Sequence, residues 1–69
     1  MMTEIDIRTD MVVAGFDAMR PIFNLRTDIQ EWMNANVVGD YEVRTGFRRG
    51  YFVAFADDGE ASAFRLKWG

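Results

Sequence analysis

Thr27-Asp28-Ile29-Gln30-Glu31-Trp32-Met33-Asn34-Ala35-Asn36-Val37 is the stretch on which the fold turns. Its apolar residues Ile29, Trp32, Met33 and Val37 recur at i, i+3, i+4 and i+8, which makes one stripe along a helix. Thr27 followed by Gln30 matches a capping box, in which hydroxyl and amide each satisfy a free backbone N–H at the helix start. Gly39-Asp40 supplies the stop. The spacing predicts a helix from about Asp28 to Asn36. A helix this short is stable only when its stripe is buried, so it must lie on a sheet.

Strand patterns flank it on both sides. Residues 3 to 8, Thr-Glu-Ile-Asp-Ile-Arg, alternate polar and apolar with Ile5 and Ile7 on one face, as in a short, half-buried strand that suits a sheet edge. Downstream, Tyr41 and Val43, then Tyr51, Val53 and Phe55, alternate with polar or small neighbours around a Gly- and Arg-bearing connection. These read as an antiparallel pair. Residues 11 to 19 stay ambiguous: Val12, Phe16 and Met19 fit a helical spacing, whereas Gly15 and the valine pair argue against it, and Pro21 stops any helix there. Residues 57 to 68 also admit two readings. The acids Asp57, Asp58 and Glu60 can cap a helix bearing Ala61, Phe64 and Trp68 on one face. Alternatively, Asp58-Gly59 turns a hairpin whose returning strand buries Phe64, Leu66 and Trp68. The fold expected is an α+β two-layer sandwich over residues 1 to 69, with an antiparallel sheet of three to four strands and one or two helices on one face, a shortened ferredoxin-like plan.

Composition narrows the function. The chain has 69 residues with no Cys and no His, which removes disulfides, zinc sites, Cys nucleophiles and histidine acid–base chemistry by residue type. Its core must therefore rest on aromatic mass, with Trp32, Phe55, Phe64 and Trp68 as the expected centre. No Gly-rich phosphate loop is present, and Asp57, Asp58 and Glu60 lack the ligand spacing of a calcium loop. The expectation is a non-enzyme with no cofactor and no metal. The acidic start and the lack of any run near ~20 apolar residues predict a cytoplasmic protein with no membrane span. A net charge of −3 disfavours a general polyanion binder.

Two resemblances add to this. The ending Ala61-x-x-Phe64-x-Leu66-x-Trp68-Gly69, after an aromatic strand and an acidic turn, resembles that of many small uncharacterised proteins of tailed phages. The likeness spans about residues 27 to 69. It implies a viral, bacteriophage gene product of unknown function acting in the bacterial host cytoplasm. Separately, Arg48-Arg49-Gly50-Tyr51-Phe52-Val53-Ala54-Phe55 is similar to the aromatic strand of RNA-recognition motifs, which implies weak single-stranded nucleic-acid binding with Phe52 as stacking platform.

Arg44, Arg48 and Arg49, with Phe47 between, form the densest basic patch, and with Phe52 they are the candidate binding residues. Arg and aromatic side chains are enriched at interface hot spots, so a protein partner ranks ahead of nucleic acid. The expected function is non-enzymatic protein–protein binding, to a host protein or as a homo-oligomer. A minor virion component is a further alternative. A second candidate surface is residues 11 to 23, whose seven large apolar side chains exceed what one helical stripe on so small a body needs.

Overall fold

The computed structural model describes residues 2–46 and 48–69. Five strands and two helices follow in the order β1 (Thr3–Ile7), β2 (Val12–Asp17), β3 (Arg20–Leu25), α1 (Thr27–Asn36), β4 (Tyr41–Gly46), β5 (Gly50–Phe55) and α2 (Asp58–Trp68). The main sheet has the order β1-β5-β4, with β5 antiparallel to both neighbours. Strands β1 and β4 are thus parallel to each other around β5, and α1 lies in the connection between them. That arrangement is the split β-α-β unit of the ferredoxin-like plan without its fourth strand.

Alternation along the strands decides which side the helices cover. Ile5 and Ile7 of β1, Val53 and Phe55 of β5, and Tyr41 and Val43 of β4 share one face, and all belong to or pack against the core. Ile29 and Met33 of α1 and Ala61 and Phe64 of α2 close over that face and are buried. Phe64 sits at the junction, its ring centroid 5.4 Å from Phe55 and 6.1 Å from Trp32. Trp32 and Trp68, expected at the centre, lie instead at the rim, half-buried against it.

The two helix starts differ. The capping box read at Thr27 and Gln30 does not form: Arg26 is the N-cap residue, with no side-chain cap. The Arg26 guanidinium instead holds both Asp28 carboxylate oxygens at 2.8 and 3.0 Å. That hydrogen bond lowers the Asp28 pKa below the ordinary carboxylate value and raises that of Arg26. Gln30 turns toward the sheet and donates to the Tyr41 hydroxyl at 2.7 Å. Residues 57 to 68 resolve as a helix, since Asp57 Oδ1 accepts from the Glu60 N–H at 3.0 Å and satisfies a donor of the first turn. Acids in the first turn and Arg65 and Lys67 in the last complement the helix dipole. The hairpin alternative is thereby excluded, and Leu66 projects to solvent.

The same turn is an anchor point. Both oxygens of Glu60 accept the backbone N–H groups of Val38 and Gly39, at 2.6 and 3.1 Å, tying the loop after α1 to the start of α2. Asp57→Ala removes the cap that holds Glu60 in place, so urea unfolding should show stability lowered by about 1 kcal/mol. Asp57→Ser should restore most of it, and an alanine variant as stable as wild type would refute this role.

Residues 12 to 17 form a strand rather than a helix. After a single 3-10 turn over Thr9–Met11, β2 and β3 form a separate two-stranded antiparallel sheet, paired from Val12↔Leu25 to Asp17↔Arg20. It is an insertion between β1 and α1. Its root is fixed by buried Met11 and Leu25 and by the Arg26 N–H donating to Met11 O at 2.9 Å. Pro21 lies within β3, where it breaks no ladder bond. The two-residue turn makes Asp17 and Arg20 a hydrogen-bonded pair, so the next pair, Phe16 and Pro21, points its backbone groups outward.

Candidate functional site

Two surfaces compete for function: the outer face of the main sheet and the inserted ribbon. On the outer face, cross-strand registers put Asp6, Phe52 and Arg44 in one row and Glu4, Ala54 and Glu42 in the next. Arg49 reaches over this face from the β4–β5 turn. Its guanidinium donates to Glu4 at 2.6 Å and to Asp6 at 2.9 Å, with Cζ 3.9 Å from the centroid of the Phe52 ring. The bond to Glu4, then that to Asp6, raises the Arg49 pKa above its ordinary value. Arg44 Nε donates to Glu42 at 2.6 Å.

The structure therefore brings Arg44, Arg49 and Phe52 onto one face. Phe52 is only 7% exposed, because Arg49 covers it, so a base stacking there would first have to displace the guanidinium from two acids. Arg48 is exposed in the turn with φ 62°, and Gly50 follows at φ 83°. Phe47 lies outside the described residues. Exposed ion pairs such as these contribute little to stability. They do change the electrostatics: the guanidiniums of Arg44 and Arg49 each meet a carboxylate of the same chain, and the face reads as mixed charge rather than as a basic track. Beside it, a shallow depression of about 290 Å³ is lined by Glu4, Ile5, Asp6, Arg65 and Gly69, and both its acids are engaged by Arg49. Among the described residues no three metal-ligating side chains converge. No helix among them is long and apolar enough to cross a membrane.

The ribbon β2–β3 is different in kind. One face carries Val12/Leu25, Ala14/Phe23 and Phe16/Pro21; the other carries Val13/Asn24, Gly15/Ile22 and Asp17/Arg20. Among the described residues, packing on the first face is confined to its root, by Leu25 in the core and by Phe23, whose ring centroid is 5.4 Å from that of Tyr51. The rest of the first face and the apolar residues of the other face lie open to solvent. Phe16 is 80% exposed, Val13 55%, Ile22 38%, and Met19 at the tip 95%. Asp17 and Arg20, paired with each other, are the only charges between Val12 and Leu25. The turn places Ala18 at φ 50° and Met19 at φ 66°, the left-handed region that Asn and Gly favour in a type I′ hairpin turn. Strain of this kind persists where the surroundings or a function select for it.

Composition revealed the apolar excess of residues 11 to 23. It did not reveal its form, because Ala18-Met19 carries none of the Gly, Asn or Asp signals that mark a hairpin turn. Compared with protein-family models, curated proteins and solved structures, the chain finds no match in any of the three.

Proposed function

We propose that this chain is a non-enzymatic accessory protein that acts by binding protein, and that the ribbon β2–β3 is its binding element. The observation carrying this is the exposure of Val13, Phe16, Met19 and Ile22 on one small, nearly uncharged projection. Large exposed apolar side chains clustered on one element are the usual mark of an interaction surface. The arginine turn ranks second, since Arg44 and Arg49 are engaged by Glu42, Glu4 and Asp6. Nucleic-acid binding draws no support from a Phe52 covered by Arg49. The phage origin, and with it a role in a bacterial cytoplasm, rests on the likeness of residues 27 to 69 alone.

Binding assays on three proteins test this: wild type, Phe16→Lys/Met19→Lys and Arg48→Glu/Arg49→Glu. Each is used for affinity capture from bacterial lysate and for light scattering of the purified protein. The expected result is that the ribbon variant loses the association, whether with a captured protein or with itself, while the arginine variant keeps it. Loss in the arginine variant alone would move the site to the β4–β5 turn. Association unchanged in both would overturn the reading.

A further inference from the structure

We infer that the occupant of the ribbon is a second copy of this chain, added edge to edge through β2 to make a continuous sheet of order β3-β2-β2-β3. The inference rests on the ribbon being the binding element and names its partner.

The hydrogen-bond phase of the ribbon leads to this. With Asp17 and Arg20 a bonded pair and Met11 bonded to Arg26, the odd-numbered residues of β2 point their backbone groups at β3. Val12, Ala14 and Phe16 point theirs outward. Val12 N–H is satisfied by Thr9 O, which leaves the N–H and C=O groups of Ala14 and Phe16 facing a side on which, among the described residues, no strand pairs. The opposite edge cannot serve in the same way, because Pro21 takes an outward position on β3 and offers no N–H. Exposed edges of soluble proteins are ordinarily blunted by charge, Pro or a bulge. Val12-Val13-Ala14-Gly15-Phe16 has none of these.

That edge is complementary to itself. Two β2 strands placed antiparallel about a twofold axis through Gly15 bring Ala14 of each copy opposite Phe16 of the other. Each such pair exchanges two backbone hydrogen bonds. On the side-chain level a large ring meets a small methyl twice, with no crowding. Gly15 meets its counterpart on the axis as a non-hydrogen-bonded pair, where backbones come closest. Nothing inside the protomer calls for glycine there: its φ is not positive, and a Cβ would lie at ordinary contact, 3.8 Å from Ile22 Cγ1. Mid-strand glycine weakens a strand and marks places where another backbone approaches. Charge also permits the pairing. The two Asp17 residues would be offset by four residues, about 13 Å along the strands, beyond the screening length of about 8 Å. A two-stranded ribbon is marginal alone, and four strands remove that weakness.

Sedimentation velocity from low to high micromolar concentration, with amide exchange followed residue by residue, tests the proposal. Wild type should reach twice the chain mass, with exchange at Ala14 and Phe16 slowing as the dimer fills. Ala14→Pro removes an outward N–H and leaves the β2–β3 ladder whole; it should stay monomeric, as should Phe16→Lys, while Arg48→Glu/Arg49→Glu dimerises as wild type does. Phe16 is exposed, so its variant reports even if the proline variant fails to fold. A wild type that stays monomeric throughout would overturn the inference. So would a dimer that survives both edge variants, or one in which Ala14 and Phe16 exchange as fast as in the monomer. A monomer that still captures a lysate protein through the ribbon would sink this inference and leave the proposed function standing. Loss of both kinds of association would sink the two together.

Discussion

Phe64→Ala should remove a large share of the chain's stability at room temperature. Phe64 is fully buried and its ring meets both Phe55 of the sheet and Trp32 of the neighbouring helix, so its removal opens a cavity where three elements meet. Truncating a buried Phe to Ala costs about 3–5 kcal/mol from lost transfer energy and the residual void. Stabilities of roughly 0.05–0.15 kcal/mol per residue leave a domain of this size only about 3–10 kcal/mol in all. With no disulfide to limit the unfolded state, nothing offsets the loss. Far-UV circular dichroism and tryptophan fluorescence during urea unfolding read the effect directly. Phe64→Leu, which keeps most of the volume, should retain a cooperative transition at lower urea. A Phe64→Ala protein with a wild-type midpoint would mean that the packing described around this ring is wrong.

Replacing Ala18-Met19 by Asn-Gly should act in the opposite direction on stability and against function. Both central turn residues hold left-handed backbone angles, which costs roughly 1–2 kcal/mol per residue with an ordinary side chain. Asn-Gly is the pair that type I′ turns prefer. Relief of the strain should stabilise the protein by about 2 kcal/mol, read as a higher urea midpoint with an unchanged denaturant slope. The same change deletes Met19, the most exposed apolar side chain of the ribbon, and should weaken its association with a protein partner. A strained turn kept with a large apolar residue at its tip is the pattern of a site that trades stability for contact. If the variant proves no more stable than wild type, the turn is not strained. If it is more stable and binds as well, Met19 takes no part in binding.

These two expectations fall on either side of what a sequence can show. The α1 stripe of Ile29, Trp32, Met33 and Val37 and the alternation through Tyr41 to Phe55 were readable because burial on one face imposes a period of 3.6 or 2 on the chain itself. The end of the chain stayed open between helix and hairpin because Asp58-Gly59 suits a turn and Asp57 to Glu60 suits a cap equally well. The helix form, capped by Asp57, is the one that lets Glu60 grip the amides of Val38 and Gly39, residues about twenty positions away. The arginine cluster was legible as a cluster, but its engagement was not, since Glu4 and Asp6 reach Arg49 only after β1 has paired with β5.

By itself, then, the sequence determined an α+β fold without disulfides or histidine, built on one helix stripe, three alternating strand runs and an apolar excess around residues 11 to 23. Local periodicity and residue chemistry are written into the chain and need no partner to be read. Only the tertiary structure decided that the apolar excess is a ribbon with an open edge and that Arg44 and Arg49 are engaged by acids of the same chain. Those outcomes depend on pairings between residues distant in sequence, and no local signal encodes which distant strand or carboxylate will arrive.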